Sequence, residues 1–393
     1  MQLMNIEKLS LYATDRQKEI LIAIQSEGSE NKAAALLGVN PSTVNKAYVS
    51  VKNKAAMSGW SPEHDMTHEV PDGFKLKGTS TLYDSQTGQA KIQWVKTNAD
   101  QVRQDEIFKE ALEGFADAIP RSEPIKAPKN TNENLLSCYP VGDHHFGQYS
   151  NKEECGTEYT IEIASKLLHN SVDYLVDSAP PSSQALIMIL GDLLHQDNHE
   201  SLTPQHKNLL DSDGRYHSMV RAAIVALRYM IMKCLNKHNV VNVIVEIGNH
   251  DISSSTFMME CLHALYEDEP RVIIDRSPSR FHYFSFGKVL IATHHGDKVK
   301  KAEHLALLMA TDRPKGWAAS EFRYWYLGHI HHDSVSEAAG GVRCESMRVL
   351  APLDAHAHSH GYRSGRDQKM IVHHKDFGEV SRVIFNPSML KEI

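Results

Sequence analysis

Five times between residues 141 and 331, an apolar run gives way to a short cluster of glycine with carboxylate, amide or imidazole. The clusters are Gly142-Asp143-His144-His145, Gly191-Asp192-Leu193-Leu194-His195, Gly248-Asn249-His250-Asp251, His294-His295-Gly296-Asp297 and Gly328-His329-Ile330-His331. The preceding runs read as strands at Leu136–Val141, Ala185–Leu190, Val240–Ile247, Phe281–Phe286, Val289–Thr293 and Tyr324–Leu327. Helical patterns at Thr157–Ser178 and Gly214–Lys237 fall between the early ones. This is α/β alternation with polar groups where strands end, the place such sheets put their sites. Asp143 and His145 lie two apart on an extended segment and so share a face, and the glycines let the backbone turn tightly where side chains converge. Oxygen and imidazole donors together suit Mn²⁺, Fe²⁺ or Zn²⁺, and a carboxylate can bridge two ions about 3.5–4 Å apart. One such motif is a surface pair as often as a ligand set; five in order are a site.

Histidine divides the chain. His64 and His68 are alone before residue 136, and the other 22 of the 24 follow it. With 393 residues, two regions with different tasks are expected, bounded as 1–97, a helix and linker at 98–134, and 135–393. The 41% hydrophobic and 23% charged composition is that of a globular protein. No run approaches the roughly 18–20 apolar residues of a membrane helix, and no basic-then-apolar signal opens the chain. Five scattered cysteines never form a C-x-x-C pair, which excludes a thiolate zinc site and fits a reducing, cytoplasmic location. A net charge of −7 argues against nonspecific coating of nucleic acid while leaving room for local basic patches.

In the first region, Thr14 caps a helix with Ile20, Leu21 and Ile24 on one face, ending near Gly28. A second helix runs through Lys32–Leu37 to Gly38, and Pro41-Ser42-Thr43 opens a third through Val44, Tyr48 and Val51. Small Ala34, the Gly38 turn and the Val39/Val44 clamp fit a helix-turn-helix. On the third helix Ser42, Thr43, Asn45, Lys46 and Lys52 are suited to base edges and phosphates. A hairpin follows, Thr79–Tyr83 and Ala90–Val95, accompanied by Lys75, Lys77, Lys91 and Lys96. It resembles the wing of a winged helix, as found in small phage-encoded DNA-binding proteins. A polar helical stretch, Asp100–Ala118, and a Pro- and Lys-rich linker, Pro120–Asn134, complete the region.

From residue 136 onward the ordered motifs D-x-H, G-D, G-N-H-[DE], H and G-H-x-H resemble those of the calcineurin-like metallophosphoesterase superfamily. The resemblance implies an α/β, four-layer αββα sandwich, here preceded by a small winged helix-turn-helix domain. It implies that Asp143, His145 and His331 hold one divalent metal, that Asn249, His295 and His329 hold another, and that Asp192 bridges them. His295 is preferred to His294 because family members often carry the ligand just before Gly-Asp or Gly-His. His250 then becomes the acid beside the leaving group rather than a ligand. His195, where many phosphatases have a second Asp, looks more like the SbcD-type DNA repair nucleases, in which that histidine helps to position substrate. The order of domains departs from that subgroup, and only about 60 residues follow the last motif, so an ATPase partner is not expected.

The expected function is a nuclease cleaving DNA with two divalent ions, Mn²⁺ before Fe²⁺, Zn²⁺ or Mg²⁺, probed by its helix-turn-helix and encoded by a phage acting in a bacterial cytoplasm. The rivals are a phosphatase or phosphodiesterase for nucleotides or phosphoproteins, and a DNA-binding regulator with a vestigial site. A homo-oligomer stays open and a membrane partner is not expected. Arg363 and Arg366 are candidates to meet phosphates, and the polar segment His199–Gly214 to gate substrate.

Overall fold

The computed structural model describes residues 6–62, 66, 74–83, 87, 90–99, 124–204 and 207–390. They fall into two compact units, 1–119 and 120–393. The polar stretch Asp100–Ala118 lies outside the described residues.

The first unit has helices α1 (Ile6–Ser10), α2 (Asp15–Glu27), α3 (Glu30–Leu37) and α4 (Pro41–Met57), then an antiparallel hairpin of β1 (Phe74–Tyr83) and β2 (Ala90–Ala99). Its helices start and stop where local chemistry says they should. Thr14 forms a reciprocal capping box with Gln17, Ser29 caps Lys32, and Asn40 caps Ser42 just ahead of Pro41 at the first helical position. Gly28 and Gly38 end α2 and α3 in the left-handed conformation, φ 69° and 62°. Leu21, Ala33, Ala34, Val44 and Val51 make the small core, with Val39 and Tyr48 packed at its edge.

The second unit begins before the expected boundary. The Ile125 N–H donates to Glu269 Oε2 at 2.9 Å, and its carbonyl accepts from Arg271 Nη1 at 2.5 Å. The first strand, β3 (Asn132–Val141), also starts inside the stretch read as linker. In chain order there follow α5 (Lys152–Cys155), α6 (Ile161–Ser178), β4 (Ser182–Ile189), α7 (Tyr216–Lys237), β5 (Val240–Val245), α8 (Ile252–Leu265), β6 (Val272–Ile274), β7 (His282–Phe286), β8 (Val289–His294), α9 (Ala302–Asp312), α10 (Pro314–Ala319), β9 (Phe322–Leu327), β10 (Ser334–Ala338), β11 (Val342–Ser346), α11 (Ala355–Ser359), β12 (Gln368–His374) and β13 (Gly378–Phe385). One sheet has the order β13-β12-β3-β4-β5-β6, parallel from β3 to β6; the other has the order β10-β11-β9-β8-β7.

The two sheets face each other across Leu136, Cys138, Leu186 and Met188 on one side and Val289, Ile291, Tyr324 and Tyr326 on the other. Helices α6, α7 and α8 cover the outer face of the six-stranded sheet. Leu305, Ala306 and Met309 of α9 cover the outer face of the other, against Leu290, Ala292 and Trp325. The arrangement is therefore helix, sheet, sheet, helix. Strands covered on both faces read as continuous apolar runs, which is why β3, β4 and β8 were visible in the sequence. The exposed edge strand β10, Ser-Val-Ser-Glu-Ala, carries no such signal. Among the described residues no helix is long and apolar enough to cross a membrane.

Candidate metal centre

The C-terminal ends of β3, β4 and β5 meet those of β8 and β9 at one edge of the sandwich. The loops there are latched by backbone hydrogen bonds: Asp143 N–H to the Gly191 carbonyl and His145 N–H to the Asp192 carbonyl, both 3.1 Å. Three sets of donor atoms result, each within 4.8 Å: Asp143, His145 and His331; Asp192, His295 and His329; and His145, His195 and His250. Asn249 joins the second set, its Oδ1 lying 2.9 Å from His295 Nε2. All seven residues expected as ligands, and the two expected as catalytic, are thus brought together. His294 is not. Its Nδ1 donates to the Arg280 carbonyl at 3.0 Å and its Nε2 faces the Val299 N–H, on the far side of the strand from the cluster.

Strain marks the same residues. Among the described residues six non-glycines have positive φ, and five of them are Asp143, His145, Asp192, His329 and His331, at 48° to 70°. Such a conformation costs an L-residue about 1–3 kcal/mol and persists where surrounding structure enforces it. Gly191 and Gly296 turn the backbone as expected, at φ 89° and 108°, while Gly248 and Gly328 have another task. A Cβ on Gly248 would sit 2.1 Å from Asp192 Oδ1, and one on Gly328 would sit 2.6 Å from Asp143 Oδ2. These two make room for carboxylates, and the carboxylate and imidazole residues share the turning with Gly191 and Gly296.

Ring orientation is set from behind. His295 Nδ1–H donates to the Leu190 carbonyl at 2.8 Å, which leaves Nε2 facing Asn249 and, at 3.2 Å, Asp192 Oδ2. His250 Nδ1–H donates to the His195 carbonyl at 2.8 Å, which frees its Nε2. Asp143 accepts the His329 N–H and lies 3.1 Å from His331 Nε2. Fixing one imidazole nitrogen so that the other presents a lone pair is the usual preparation of a metal ligand.

The donors perturb one another strongly. Burial disfavours charge on both Asp192 and His295, yet the Asp192 carboxylate lifts His295 to about 10, and His295 holds Asp192 well below the usual carboxylate range. Burial and then the His250 ring push His195 down to about 3 and His145 well below its ordinary value. Burial would also lower His331, but the Asp143 carboxylate overrides it. Neutral imidazoles crowd together, with His145 and His195 Nδ1 atoms 3.4 Å apart, beside carboxylates that seek positive charge. The donor set, oxygen and nitrogen without sulfur, fits two divalent ions.

Two supporting carboxylates went unassigned in the sequence. Asp251 is buried and accepts the Asp192 and Leu194 N–H groups at 3.2 and 3.0 Å, holding the Asp192 loop. Asp197 accepts the Ser253 and Ser254 N–H groups at the start of α8. The first stands inside Gly248-Asn249-His250-Asp251 and was legible as the motif's last member. The second had no signal. Conversely, Arg366 is spent on structure, its Nε and Nη2 both donating to the Leu350 carbonyl, and Arg363 Nη1 is turned onto the Tyr362 carbonyl at 2.7 Å. On α4, Ser42, Thr43, Asn45 and Lys46 are exposed. Asn45 donates to Glu30 Oε2 at 2.9 Å, and Lys52 lies over the Tyr48 ring.

No family model matches the chain, and no curated protein matches it either. Among solved structures it is similar to a conserved uncharacterized protein, a predicted phosphoesterase, from Streptococcus pneumoniae, with 10% identity over 65% of this chain and 99% of that one, TM-score 0.28. It is similar to a dimetal phosphatase from Danio rerio, with 10% identity over 64% and 98%, TM-score 0.34. A third is the Vps29 of Entamoeba histolytica complexed with Zn²⁺, with 12% identity over 64% and 99%, TM-score 0.28.

Proposed function

We propose that the chain is a phosphodiesterase using two divalent cations, Mn²⁺ first among them, and that it cleaves DNA. The observation that carries this reading is the convergence of five strand ends on the donor sets Asp143, His145, His331 and Asp192, His295, His329, with backbone strain concentrated on the donors; Asp192 would bridge the two cations. Asp143, His145 and His331 would hold one cation and Asn249, His295 and His329 the other. Bound there, the pair would supply charge neutralisation to phosphoryl oxygens and acidify a water toward hydroxide at neutral pH. Everything else belongs to the chain. His250, anchored through Nδ1–H, would protonate a departing alkoxide from Nε2 in its doubly protonated form and be left as the neutral ring. His195 stacks on His250 with centroids 5.6 Å apart and carries its anchoring carbonyl, so it places that acid beside the substrate. Asp251 keeps the Asp192 loop in register.

DNA as substrate is supported by the first unit, read as a winged helix-turn-helix. Helices α3 and α4 meet at the left-handed Gly38, α4 presents Ser42, Thr43, Asn45 and Lys46 to solvent, and β1 and β2 carry four lysines and no acidic residue. The test is purified protein with Mn²⁺ against supercoiled plasmid, linear duplex, single-stranded DNA, nucleotides and an aryl phosphate. Cleavage of the DNA substrates is expected. Hydrolysis confined to nucleotides and small esters would replace the nuclease by the phosphatase reading. A chain starting at Pro120 should keep activity on a small diester and lose affinity, and salt dependence, on long DNA.

A further inference from the structure

Alternate residues of the two sheets face each other across the core, Ile244 of β5 on one side and Val289 and Ile291 of β8 on the other. Two residues further along each chain segment, these apolar rows end in a polar rung. Glu246, fully buried, accepts a hydrogen bond from the Thr293 hydroxyl through Oε1. His282 of β7 lies directly opposite Thr293 in the β7–β8 pair, is 2% exposed, and has Nδ1 2.9 Å from Asp275 Oδ2. Glu246 Oε2 and His282 Nε2 are buried atoms with no hydrogen-bond partner. Burial pushes the Glu246 carboxyl up to about 7. A carboxyl buried with one oxygen unpaired costs the fold stability rather than adding to it.

The rung stands just before the donors. Asn249 follows Glu246 by three residues, and His295 follows Thr293 by two. Beside the rung, Arg280 Nη1 donates to the Ile247 carbonyl at 3.3 Å, and the Arg280 carbonyl accepts from His294 Nδ1 at 3.0 Å. Residues 246 and 247, at the end of β5, are thus clasped to residues 293 and 294 at the end of β8. Beyond the clasp, Asn249 Oδ1 lies 2.9 Å from His295 Nε2. We infer that Glu246 is a positioning residue for the second cation: through Thr293 it sets the spacing between the loop that carries Asn249 and the strand that carries His295. This rests on the two-cation reading of the site. Asp143 and His331 of the first set have their own tie across the sheets, with Asp143 accepting the His329 N–H at 2.9 Å and lying 3.1 Å from His331 Nε2. Loss of the Glu246 bond therefore bears on one of the two ions.

The test sets calorimetric Mn²⁺ titration beside urea unfolding of the metal-free protein, all on the full chain. Thr293→Val breaks the bond and keeps the carboxyl. Glu246→Gln keeps the bond, through its amide oxygen, and removes the charge. Glu246→Met with Thr293→Val removes both partners, and Asn249→Ala identifies the binding step that belongs to the second cation. Thr293→Val and the double variant should weaken that step by about 10–100-fold and leave the other unchanged, with Glu246→Gln close to the parent. The urea midpoint of the double variant should equal or exceed the parent's, because apolar groups replace both members of the bonded pair; a merely structural role for Glu246 would lower it and spare the metals. If the double variant does not fold, Thr293→Val against Glu246→Gln decides. Equal second-step affinity in Thr293→Val and the parent would overturn the inference, as would equal weakening of both steps. A loss in Glu246→Gln as large as that in Thr293→Val would overturn it too, by assigning the effect to charge. A parent that binds a single ion would instead bring down the two-cation reading, and this inference with it.

Discussion

The six-stranded sheet buries histidine toward both of its ends. Toward the N-terminal ends of its strands, His238 Nε2 meets the Tyr139 hydroxyl at 2.8 Å, and Nδ1 meets Ser182 Oγ and the Ser182 carbonyl, both at 2.9 Å. Ser182 Oγ is also 2.8 Å from Ser137 Oγ and donates to the Gln184 carbonyl. Burial pushes His238 down to about 4, and each ring nitrogen has a neutral partner. At the C-terminal ends burial also lowers His145 and His195, but there their Nδ1 atoms face each other 3.4 Å apart, and the carboxylates beside them face crowded imidazoles. One cluster closes its hydrogen-bond accounting within the protein. The other brings imidazole and carboxylate donors together, and five of the six non-glycines with positive φ among the described residues lie there. A buried histidine is thus told apart as structural or functional by its partners, not by its burial or its pKa.

The largest test of this contrast is Asp192→Asn. A neutral amide at the shared position should weaken binding of both cations and reduce hydrolysis by roughly 10³-fold or more. Calorimetric metal titration beside single-turnover kinetics reads both; full metal affinity in the variant would remove Asp192 from the bridge. His250→Ala is the next largest. It should keep both metals and lower turnover by about 10²–10⁴-fold. If the metals are lost instead, His250 is a ligand and the third donor set, with His145 and His195, is a genuine one.

The donors were legible because each is fixed by its own neighbours in the chain: an apolar run, then a motif two to five residues long. Asp143, Asp192, Asn249, His329 and His331 stood out in their motifs without knowing how strands pair, while His295 was separated from His294 by the resemblance alone. What holds them was not. Asp197 caps Ser253 and Ser254 across 56 and 57 residues, and Asp251 reaches Asp192 and Leu194 from as far away. The His238 network joins positions 56 and 99 apart, so no window of sequence contains it. Ile125, in a stretch with linker composition, is fixed by Arg271 and Glu269 for the same reason. In the first unit the reverse holds: caps at Thr14, Ser29 and Asn40 act within three residues, and α2, α3 and the start of α4 were readable, while α1 was not read and α4 runs on to Met57.

Acid sharpens the contrast from the structural side. His238 sits at about 4 in the fold and near 6.5 in the unfolded chain. As pH falls below 6.5 the unfolded chain takes up the proton first, so stability is full above 6.5 and drains toward pH 4. The loss is on the order of 3 kcal/mol from this group alone. Urea titrations of the metal-free protein at pH 7, 6 and 5 should show it, and His238→Gln should lower that slope by its share, the rest belonging to His144, His195, His294 and His373, which burial depresses likewise. An unchanged slope would mean that His238 is not the group that titrates.

The smallest effect is expected from Ser137→Ala, and its smallness is the point. Ser182 Oγ donates to the Gln184 carbonyl, so the Ser137 hydroxyl donates to Ser182 Oγ, and His238 Nδ1–H donates to Ser182 as well. Removing the Ser137 hydroxyl takes away one donor and leaves no buried N–H or O–H unpaired, because Ser182 and His238 keep each other. The cost should be about 1 kcal/mol, the net worth of one hydrogen bond. The acid slope assigned to His238 should be unaltered, since both ring nitrogens retain their partners. At the metal end, removal of any one donor should cost far more in affinity than in folding. A urea midpoint for Ser137→Ala displaced by several kcal/mol, or a changed acid slope, would show that the two ends of the sheet are equally strained.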